Sequence, residues 1–322
     1  MGTTAFVFPG QGSQYVGMGR SLAEISPAAA AVFAEADAAL GEPLSALAWD
    51  GDPAKLDLTA NAQPALLATS IAYVRALEER LAAAGEPALR PAFYAGHSMG
   101  QYSAMVAAGV LGVADGVRLV RERGRRMQAS GQGRDGAMAA VIGLDDARLA
   151  ELEAAGSAAG TFTIANRNSP GQVVVSGERA AVEAAIAAAK GLGARRAVLL
   201  PVSVAAHSPL MAQAASGMRT VLADVPFHDP AAPLLANADA HLLERGDACR
   251  AELVEHLTAG VDWVTAVRAM HDAGVTTFVE VGPGRVLTGL VKRIAPEAAA
   301  IALDDPDAPG RLALPGIAPG GG

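Results

Sequence analysis

The stretch Phe93-Tyr94-Ala95-Gly96-His97-Ser98-Met99-Gly100-Gln101-Tyr102-Ser103-Ala104 constrains the fold more than any other part of this chain. A short apolar run enters a Gly-x-Ser-x-Gly pentamer, and a helix-forming run, Ser103 to Ala108, leaves it. Strand, tight turn and helix in that order are the setting of a nucleophile elbow, with the Ser98 hydroxyl exposed at the turn. Glycine suits positions 96 and 100, because side chains there would collide as strand and helix close on each other. A chain with 36 glycines in 322 residues also produces such a pentamer by chance. The rest of the sequence has to decide between the two.

Composition removes several classes of function. Hydrophobic residues are 51% and aromatic residues only 4%, so the core is built mainly from small aliphatic side chains. With 18% charged residues the chain is expected to fold rather than stay disordered. The net charge of −8, with no long Lys/Arg block against it, argues against nucleic acid as the main partner. Cys249 is the only cysteine, which rules out an internal disulfide and a cysteine metal cluster, and no metal site is expected. The start, Met1-Gly2-Thr3-Thr4-Ala5-Phe6, has neither the basic residues nor the apolar run of a signal peptide. Phe6 also breaks the myristoylation pattern. No apolar run is long enough to span a bilayer, and a soluble cytoplasmic protein is expected.

Thr4 to Phe8 reads as a buried strand stopped by Pro9-Gly10, with the polar loop Gln11-Gly12-Ser13-Gln14 at its carboxyl end, where α/β sheets place ligands. A helix is expected from Ser26 to Leu40, with Pro27 in its first turn and Gly41 closing it. A second opens near Asn61 and runs to Gly85 on an apolar face through Leu67, Ile71, Val74 and Leu81. Beyond the elbow, Asp115 to Gln128 is helical. Leu119, Val120, Arg123 and Met127 share one side, while Arg118, Arg121, Glu122 and Arg125 form a solvated face and Arg126 lies at the margin. Arg123 therefore points at the core, where a guanidinium needs an anion. That anion is either a structural Asp or Glu, or a carboxylate of the substrate.

Gly131 to Gly136 reads as a linker. After it come β (Ala137–Ile142), α (Asp145–Ala155), β (Thr161–Ala165), β (Gln172–Ser176), α (Glu178–Lys190) and β (Arg195–Leu200). This βαββαβ order is a ferredoxin-like unit of about 65 residues inserted into a larger α/β domain. The larger domain, residues 1–134 and 201–305, resumes with a strand to Val204, a loop holding His207 and a helix from Pro209 to Ala223. The inserted subdomain is 135–200, a late strand spans Thr276–Val281, and the Pro/Gly-rich segment 306–322 is expected to be a mobile tail.

A serine needs a base. His228, His241, His256 and His271 lie in polar or amphipathic settings typical of the surface, and His97 adjoins the serine and suits pocket lining. His207, just past a strand end, is the best base. A hydrolase triad would place an acid between serine and histidine in chain order. The acids there, such as Asp145 and Asp146, look like helix starts. Either a backbone carbonyl or a later acid orients His207, or the enzyme is no ordinary hydrolase.

Seven segments together resemble one family. They are Phe6 to Gln14, Asn61-Ala62-Gln63-Pro64-Ala65-Leu66, Gly96 to Gly100, Arg123-Gly124 with Met127-Gln128, Asn166 to Gln172, Pro201 to His207, and Glu280-Val281-Gly282-Pro283-Gly284. Taken in order they are similar to malonyl-CoA:acyl-carrier-protein transacylases, from residue 4 to about 294. The resemblance implies a hydrolase-like α/β domain with a parallel sheet and the ferredoxin-like insertion. It also implies ping-pong transfer from malonyl-CoA to the phosphopantetheine thiol of an acyl carrier protein, supplying extender units for fatty acid or polyketide synthesis. Ser98 would carry the acyl group and His207 would act as base and acid. The amides of Gln11 and Met99 would form the oxyanion hole, worth roughly 3–4 kcal/mol per donor. Arg123 would hold the malonate carboxylate, and His97, Gln63 and Asn166 would line the pocket. A main-chain carbonyl orients the histidine in that family. No bound cofactor and a monomer are expected.

Three departures matter. Met99 and Gln101 stand where the family usually has Leu and Glu. Ala206, often Phe in the family, leaves room for a substituted malonyl group. Asp262, beside Trp263, stands where Gln or Arg is usual, so either its carbonyl or its carboxylate is a candidate to orient His207. Lys190, Arg195, Arg196, Lys292 and Arg293 are candidates for docking an acidic carrier. The alternatives are a serine hydrolase or thioesterase using the same Ser98–His207 pair, an acyltransferase for another acyl group, or a carrier-binding module without catalysis.

Overall fold

The computed structural model describes residues 3–131, 133, 135–202 and 204–304. β1 (Thr3–Phe8) and β2 (Phe93–Gly96) lie side by side and parallel in a six-stranded sheet. Four strands, β3 (Gly136–Ile142), β4 (Phe162–Ser169), β5 (Gln172–Glu178) and β6 (Arg196–Leu199), belong to a second sheet. The chain then returns to the first sheet through β7 (Leu234–Leu235) and β8 (Leu242–Leu243). β9 (Val261–Asp262) joins the second sheet, and β10 (Val275–Val281) and β11 (Ala299–Leu303) complete the first.

The order in the larger sheet is β11-β10-β1-β2-β7-β8, parallel except for the antiparallel β7–β8 pair. Strands at its centre are apolar on both faces, as a sheet covered by helices on both sides requires. Phe6 and Phe8 of β1 enter one core, with Met99, Tyr102 and the helix Thr59–Ala83, while Ala5 and Val7 enter another, with Trp263, Val267 and Leu287. Pro9, Gly96 and Gly282 follow or end neighbouring strands β1, β2 and β10, so their loops gather at one carboxyl edge.

The smaller sheet runs β6-β3-β5-β4-β9, antiparallel except where Asn166 and Arg167 pair in parallel with Val261 and Asp262. One face packs under the helices Leu149–Ser157 and Arg179–Gly191 through Val141, Val175, Leu152 and Val182. The other carries Met138, Ala165 and Val174, with Ala206 packed against them. The segment after residue 200 therefore contributes a strand to this sheet. A two-residue strand has no periodicity by which a sequence could announce it.

Most elements lie where the sequence places them. Ser26 caps the helix Pro27–Leu40, accepting from Ala29 N at 3.1 Å, and Gly41 closes it in the left-handed region. The second helix begins two residues earlier than expected, at Thr59, which puts Pro64 inside it. The strand expected to reach Val204 is not present: β6 ends at Leu199, and the described residues between it and His207 form no strand. The expected solvated position of Arg121 is also corrected. Arg121 is buried and pairs with Glu42 and Asn61, partners supplied by distant parts of the chain. The tail expected at 306–322 lies outside the described residues. Among the described residues no helix is long and apolar enough to cross a membrane.

Candidate active site

Ser98 sits between β2 and the helix Gly100–Ala107 with φ 53°, a conformation that a non-glycine residue adopts only when its surroundings impose it. The two flanking glycines are required by close approach. A Cβ on Gly96 would lie 2.0 Å from the carbonyl carbon of Gly100, and one on Gly100 would lie 2.2 Å from Phe8 O. Two side chains complete the turn. Gln101 accepts from Gly96 N at 3.0 Å and donates to Leu235 O at 2.9 Å. Asn237 accepts from Ser98 N at 2.9 Å and donates to Gly96 O at 3.0 Å. Asn237 N in turn donates to Glu252 at 2.8 Å, and burial pushes the Glu252 carboxyl up to about 7.

His207 also has positive φ, 57°. Its Nε2 lies 2.8 Å from Ser98 Oγ. Its Nδ1 faces two carbonyls, His256 O at 2.6 Å and Ala259 O at 3.1 Å. A carbonyl only accepts, so Nδ1 carries the proton and Nε2 presents its lone pair to the serine. Burial first, and then the Arg123 charge, push His207 down to about 3, so the ring is neutral near pH 7. The arrangement is a base aimed at a hydroxyl, oriented by backbone.

The Asp262 carboxylate is thereby excluded as the orienter. It accepts from Thr265 N at 3.0 Å, capping the helix Trp263–Asp272, and pairs with Arg167 at 3.2 Å. Its main-chain carbonyl is not among the acceptors of His207 either.

Arg123 is 1% exposed on the helix Val113–Gly131. That helix comes close to the helix Thr59–Ala83 at Gly124, where a Cβ would lie 2.6 Å from Ala60 Cα. The guanidinium donates from Nη1 to Gln63 Oε1 at 2.8 Å and from Nη2 to Ser98 Oγ at 3.1 Å, with Nη2 also 3.2 Å from His256 Nε2. Its centre is 5.9 Å from the Tyr102 ring. Among the described residues no carboxylate pairs with it, and its Nε has no partner. Burial lowers its proton affinity to about 10, which leaves it cationic at neutral pH. A buried cation held only by neutral groups, 3.1 Å from the Ser98 hydroxyl, has its charge free to pair with an anion.

The remaining predicted residues fall around this centre. Gln63 is fully buried, and its amide nitrogen lies 3.7 Å from Met127 Sδ. His97 Nε2 is 2.9 Å from Asn168 Oδ1, and its ring meets Trp263 edge to face at 5.7 Å. Asn168 takes the partnership with His97; the neighbouring Asn166 has its Oδ1 buried without a partner. The loop carrying Gln11 runs against the elbow, since a Cβ on Gly10 would lie 2.6 Å from His97 O. Met99 opens the helix after Ser98. Among the described residues no group of three His, Cys, Asp or Glu is placed to hold a metal ion.

His256, expected at the surface, is buried at 1% exposure and belongs to this cluster. A signal was present. Cys249, Glu252, Leu253 and His256 are spaced at three, four and seven residues, the buried stripe of the helix Gly246–Glu255. His228 and His241 are exposed as expected. Asn237 lies in a loop after a two-residue strand and carries no such signal. Replacing Asn237 by alanine leaves Ser98 N and Gly96 O unpaired. We expect that to destabilise the fold by about 1–3 kcal/mol and to slow acylation of Ser98. Chemical denaturation together with stopped-flow release of the thiol checks both effects, and unchanged values would contradict the role given to this side chain.

The acyl transferase domain model matches residues 5–303. The chain is 47% identical to the malonyl CoA-acyl carrier protein transacylase of Escherichia coli (strain K12), over 94% of this chain and 96% of that one. It is 42% identical to the protein of the same name from Bacillus subtilis (strain 168), over 95% of each chain. Among solved structures, an acyl carrier protein S-malonyltransferase from Vibrio cholerae superposes with a TM-score of 0.91 at 40% identity, covering 96% of this chain and 99% of that one. A malonyl-transacylase solved in complex with its type II PKS acyl-carrier protein superposes with a TM-score of 0.89 at 41% identity, covering 97% and 99%. An elbow serine facing a backbone-held histidine and an arginine without an acidic partner among the described residues thus occurs in a chain that these enzymes match over nearly its full length: it belongs to the acyl transferase family, among the malonyl-CoA:acyl-carrier-protein transacylases.

Proposed function

We propose that the protein transfers a malonyl group from malonyl-CoA to the phosphopantetheine thiol of an acyl carrier protein through an ester on Ser98. The observation that carries this reading is the 3.1 Å separation of Arg123 Nη2 from Ser98 Oγ. A malonyl ester on that oxygen has its free carboxylate one methylene beyond the ester carbonyl, within reach of the guanidinium. An acetyl ester offers nothing for the buried cation to pair with.

His207 Nε2 takes the Ser98 proton as Oγ attacks the thioester carbonyl. The backbone amides of Gln11 and Met99 are assigned to the oxyanion. Collapse breaks the C–S bond, and CoA leaves with the proton from His207. The carrier thiol then gives its proton to His207 and attacks the ester, and His207 returns the proton to Ser98 Oγ as the C–O bond breaks and the malonyl thioester departs. His97 and Asn166 line the acyl pocket, and Gln63 holds Arg123 from behind. The histidine is set by carbonyls, so no acidic third member is needed.

This reading divides the chain into a hydrolase-like domain, 1–134 and 201–305, with a ferredoxin-like unit at 135–200. It is supported by the element order of the insert and by its spatial strand order, fourth-first-third-second, β6-β3-β5-β4. The carrier is assigned to the face bearing Lys190, Arg195, Arg196, Lys292 and Arg293. All five are exposed, and Arg293 bonds Gln172 across the two parts at 2.7 Å. Reversing Lys292 and Arg293 to glutamate is expected to raise KM for the carrier by about tenfold and leave KM for malonyl-CoA unchanged; equal effects on both substrates would remove this face from docking.

The pH dependence follows from His207. Its working form is neutral and is lost only as pH falls through about 3, instead of through the ordinary 6.5. The acid limb of kcat/KM for malonyl-CoA should therefore be absent between about pH 8 and pH 5. A limb centred near 6.5 would mean that the base is not the residue described here.

The functional test is carrier dependence. With malonyl-CoA alone, CoA release should stop after one equivalent per enzyme; with the phosphopantetheinylated carrier it should continue, and malonyl should appear on the carrier. Continued release of free malonate without carrier would identify a hydrolase.

A further inference from the structure

We infer that the imidazole of His256 sets the orientation of Arg123, and with it the preference for a carboxylated acyl group. The same residue's main-chain carbonyl holds the base. The inference deepens the reading above and rests on Arg123 being the receptor for the substrate carboxylate.

Two distances place His256 between the catalytic groups. Its carbonyl oxygen is 2.6 Å from His207 Nδ1, and its own Nε2 is 3.2 Å from Arg123 Nη2. The chemistry of the second contact depends on where the ring proton sits. His256 Nδ1 lies 3.0 Å from the carbonyl of Glu252, one helical turn back, and a carbonyl only accepts. Nδ1 therefore carries the proton and Nε2 is a bare acceptor, suited to a guanidinium N–H. Burial, then the Arg123 charge, hold the ring well below its ordinary range of protonation. The ring is further fixed edge to face against Tyr102, with centroids 6.0 Å apart.

Arg123 is consequently held at two points, by Gln63 on Nη1 and by His256 on Nη2. Two neutral acceptors on different nitrogens fix the plane of the guanidinium without neutralising it. A carboxylate partner in either place would have satisfied the charge and competed with the substrate. The side chain and the carbonyl of His256 also act on different steps. Changing the side chain leaves the carbonyl on His207 in place, so the consequence should fall on recognition of the acyl carboxylate more than on proton transfer.

The test compares His256→Gln and His256→Asn in the full chain, with Arg123→Ala alongside. Glutamine is long enough to offer Arg123 an acceptor. Asparagine can keep the local bond to Glu252 O but falls short of the guanidinium. The readouts are kcat and KM for malonyl-CoA and the ratio of kcat/KM for malonyl-CoA over acetyl-CoA, with melting temperature measured on each protein. His256→Asn should raise KM for malonyl-CoA and lower the ratio by about tenfold or more, with a smaller change in kcat, while His256→Gln should stay within about threefold of the parent ratio. An unchanged ratio in His256→Asn, or an equal loss in both variants, overturns the inference, as does a fall in melting temperature with selectivity retained. If Arg123→Ala loses selectivity while His256→Asn keeps it, only the role of His256 fails. If Arg123→Ala keeps selectivity, the carboxylate assignment itself fails and this inference falls with it. Nitrogen NMR of the histidine rings in the unaltered enzyme tests the same point without any substitution: His256 should be neutral with its proton on Nδ1, and a proton on Nε2 would rule out acceptance from Arg123.

Discussion

Ser98→Ala is expected to abolish acyl-enzyme formation and to lower carrier malonylation by a factor on the order of 10⁴ or more, the scale seen when a nucleophile that works as a unit with its base is removed. The expectation comes from geometry. Ser98 Oγ is the atom that faces both the base at 2.8 Å and the cation at 3.1 Å, and no other described hydroxyl is placed to replace it. The elbow itself should survive. Asn237 holds the backbone N–H of residue 98, and Gln101 holds Gly96 N, so neither support depends on the serine side chain. The melting temperature should therefore stay within a few degrees of the parent while the activity disappears. An inactive variant that had also unfolded would place the defect in the turn and not in the chemistry. A variant that still transferred malonyl at the parent rate would overturn the covalent mechanism.

Arg123→Ala should act on a different quantity. The guanidinium is buried and meets no carboxylate of its own chain among the described residues, so its charge is available to the ligand. Removing one partner of a buried, hydrogen-bonded charge pair costs about 2–5 kcal/mol, a loss in kcat/KM for malonyl-CoA of roughly 30-fold to several thousand-fold. Acetyl-CoA has no carboxylate to lose, and its kcat/KM should change far less. Taking away the cation also removes an influence that depresses His207, so the acid limb of the pH profile should move upward in this variant. The two effects share one cause and are read by different measurements. Selectivity retained in the variant would show that another group recognises the malonyl carboxylate.

What the sequence made legible was what is encoded locally. The Gly96-to-Gly100 turn is a local event, and the two glycines are demanded by contacts within a few residues and with the adjacent strand end at Phe8. Arg123 was legible because a helix turns with a fixed period, so a charge among Leu119, Val120 and Met127 declares itself as inward. Long-range partners were not legible. Arg121 lies on the polar side of the same wheel yet is buried, because Glu42 and Asn61 arrive from elsewhere in the chain. Asn237 reaches the elbow across 139 residues of sequence, and nothing in its own neighbourhood announces the contact.

The histidine orienter shows both sides of this. The lack of a suitable acid ahead of His207 in the sequence leaves a backbone carbonyl and a later acid such as Asp262 both open as its orienter. A local cue against it was present: an acid directly before a helix starting at Trp263 is an N-cap, and that is where its carboxylate goes. The carbonyls that hold His207 belong to His256 and Ala259 at the end of a helix and the turn after it. Backbone atoms carry no sequence signature, and for this reason the clamp on the base could be located only in three dimensions.

The central claim is that Ser98 carries the acyl group and that Arg123 selects one bearing a carboxylate. Intact-mass analysis of the unaltered enzyme after brief exposure to equal concentrations of malonyl-CoA and acetyl-CoA tests it most directly, with the adduct mapped by peptide fragmentation. The account predicts a single added malonyl group on the peptide containing Ser98, removed when the phosphopantetheinylated carrier is supplied. An adduct on another residue, or an acetyl adduct as abundant as the malonyl one, would contradict it.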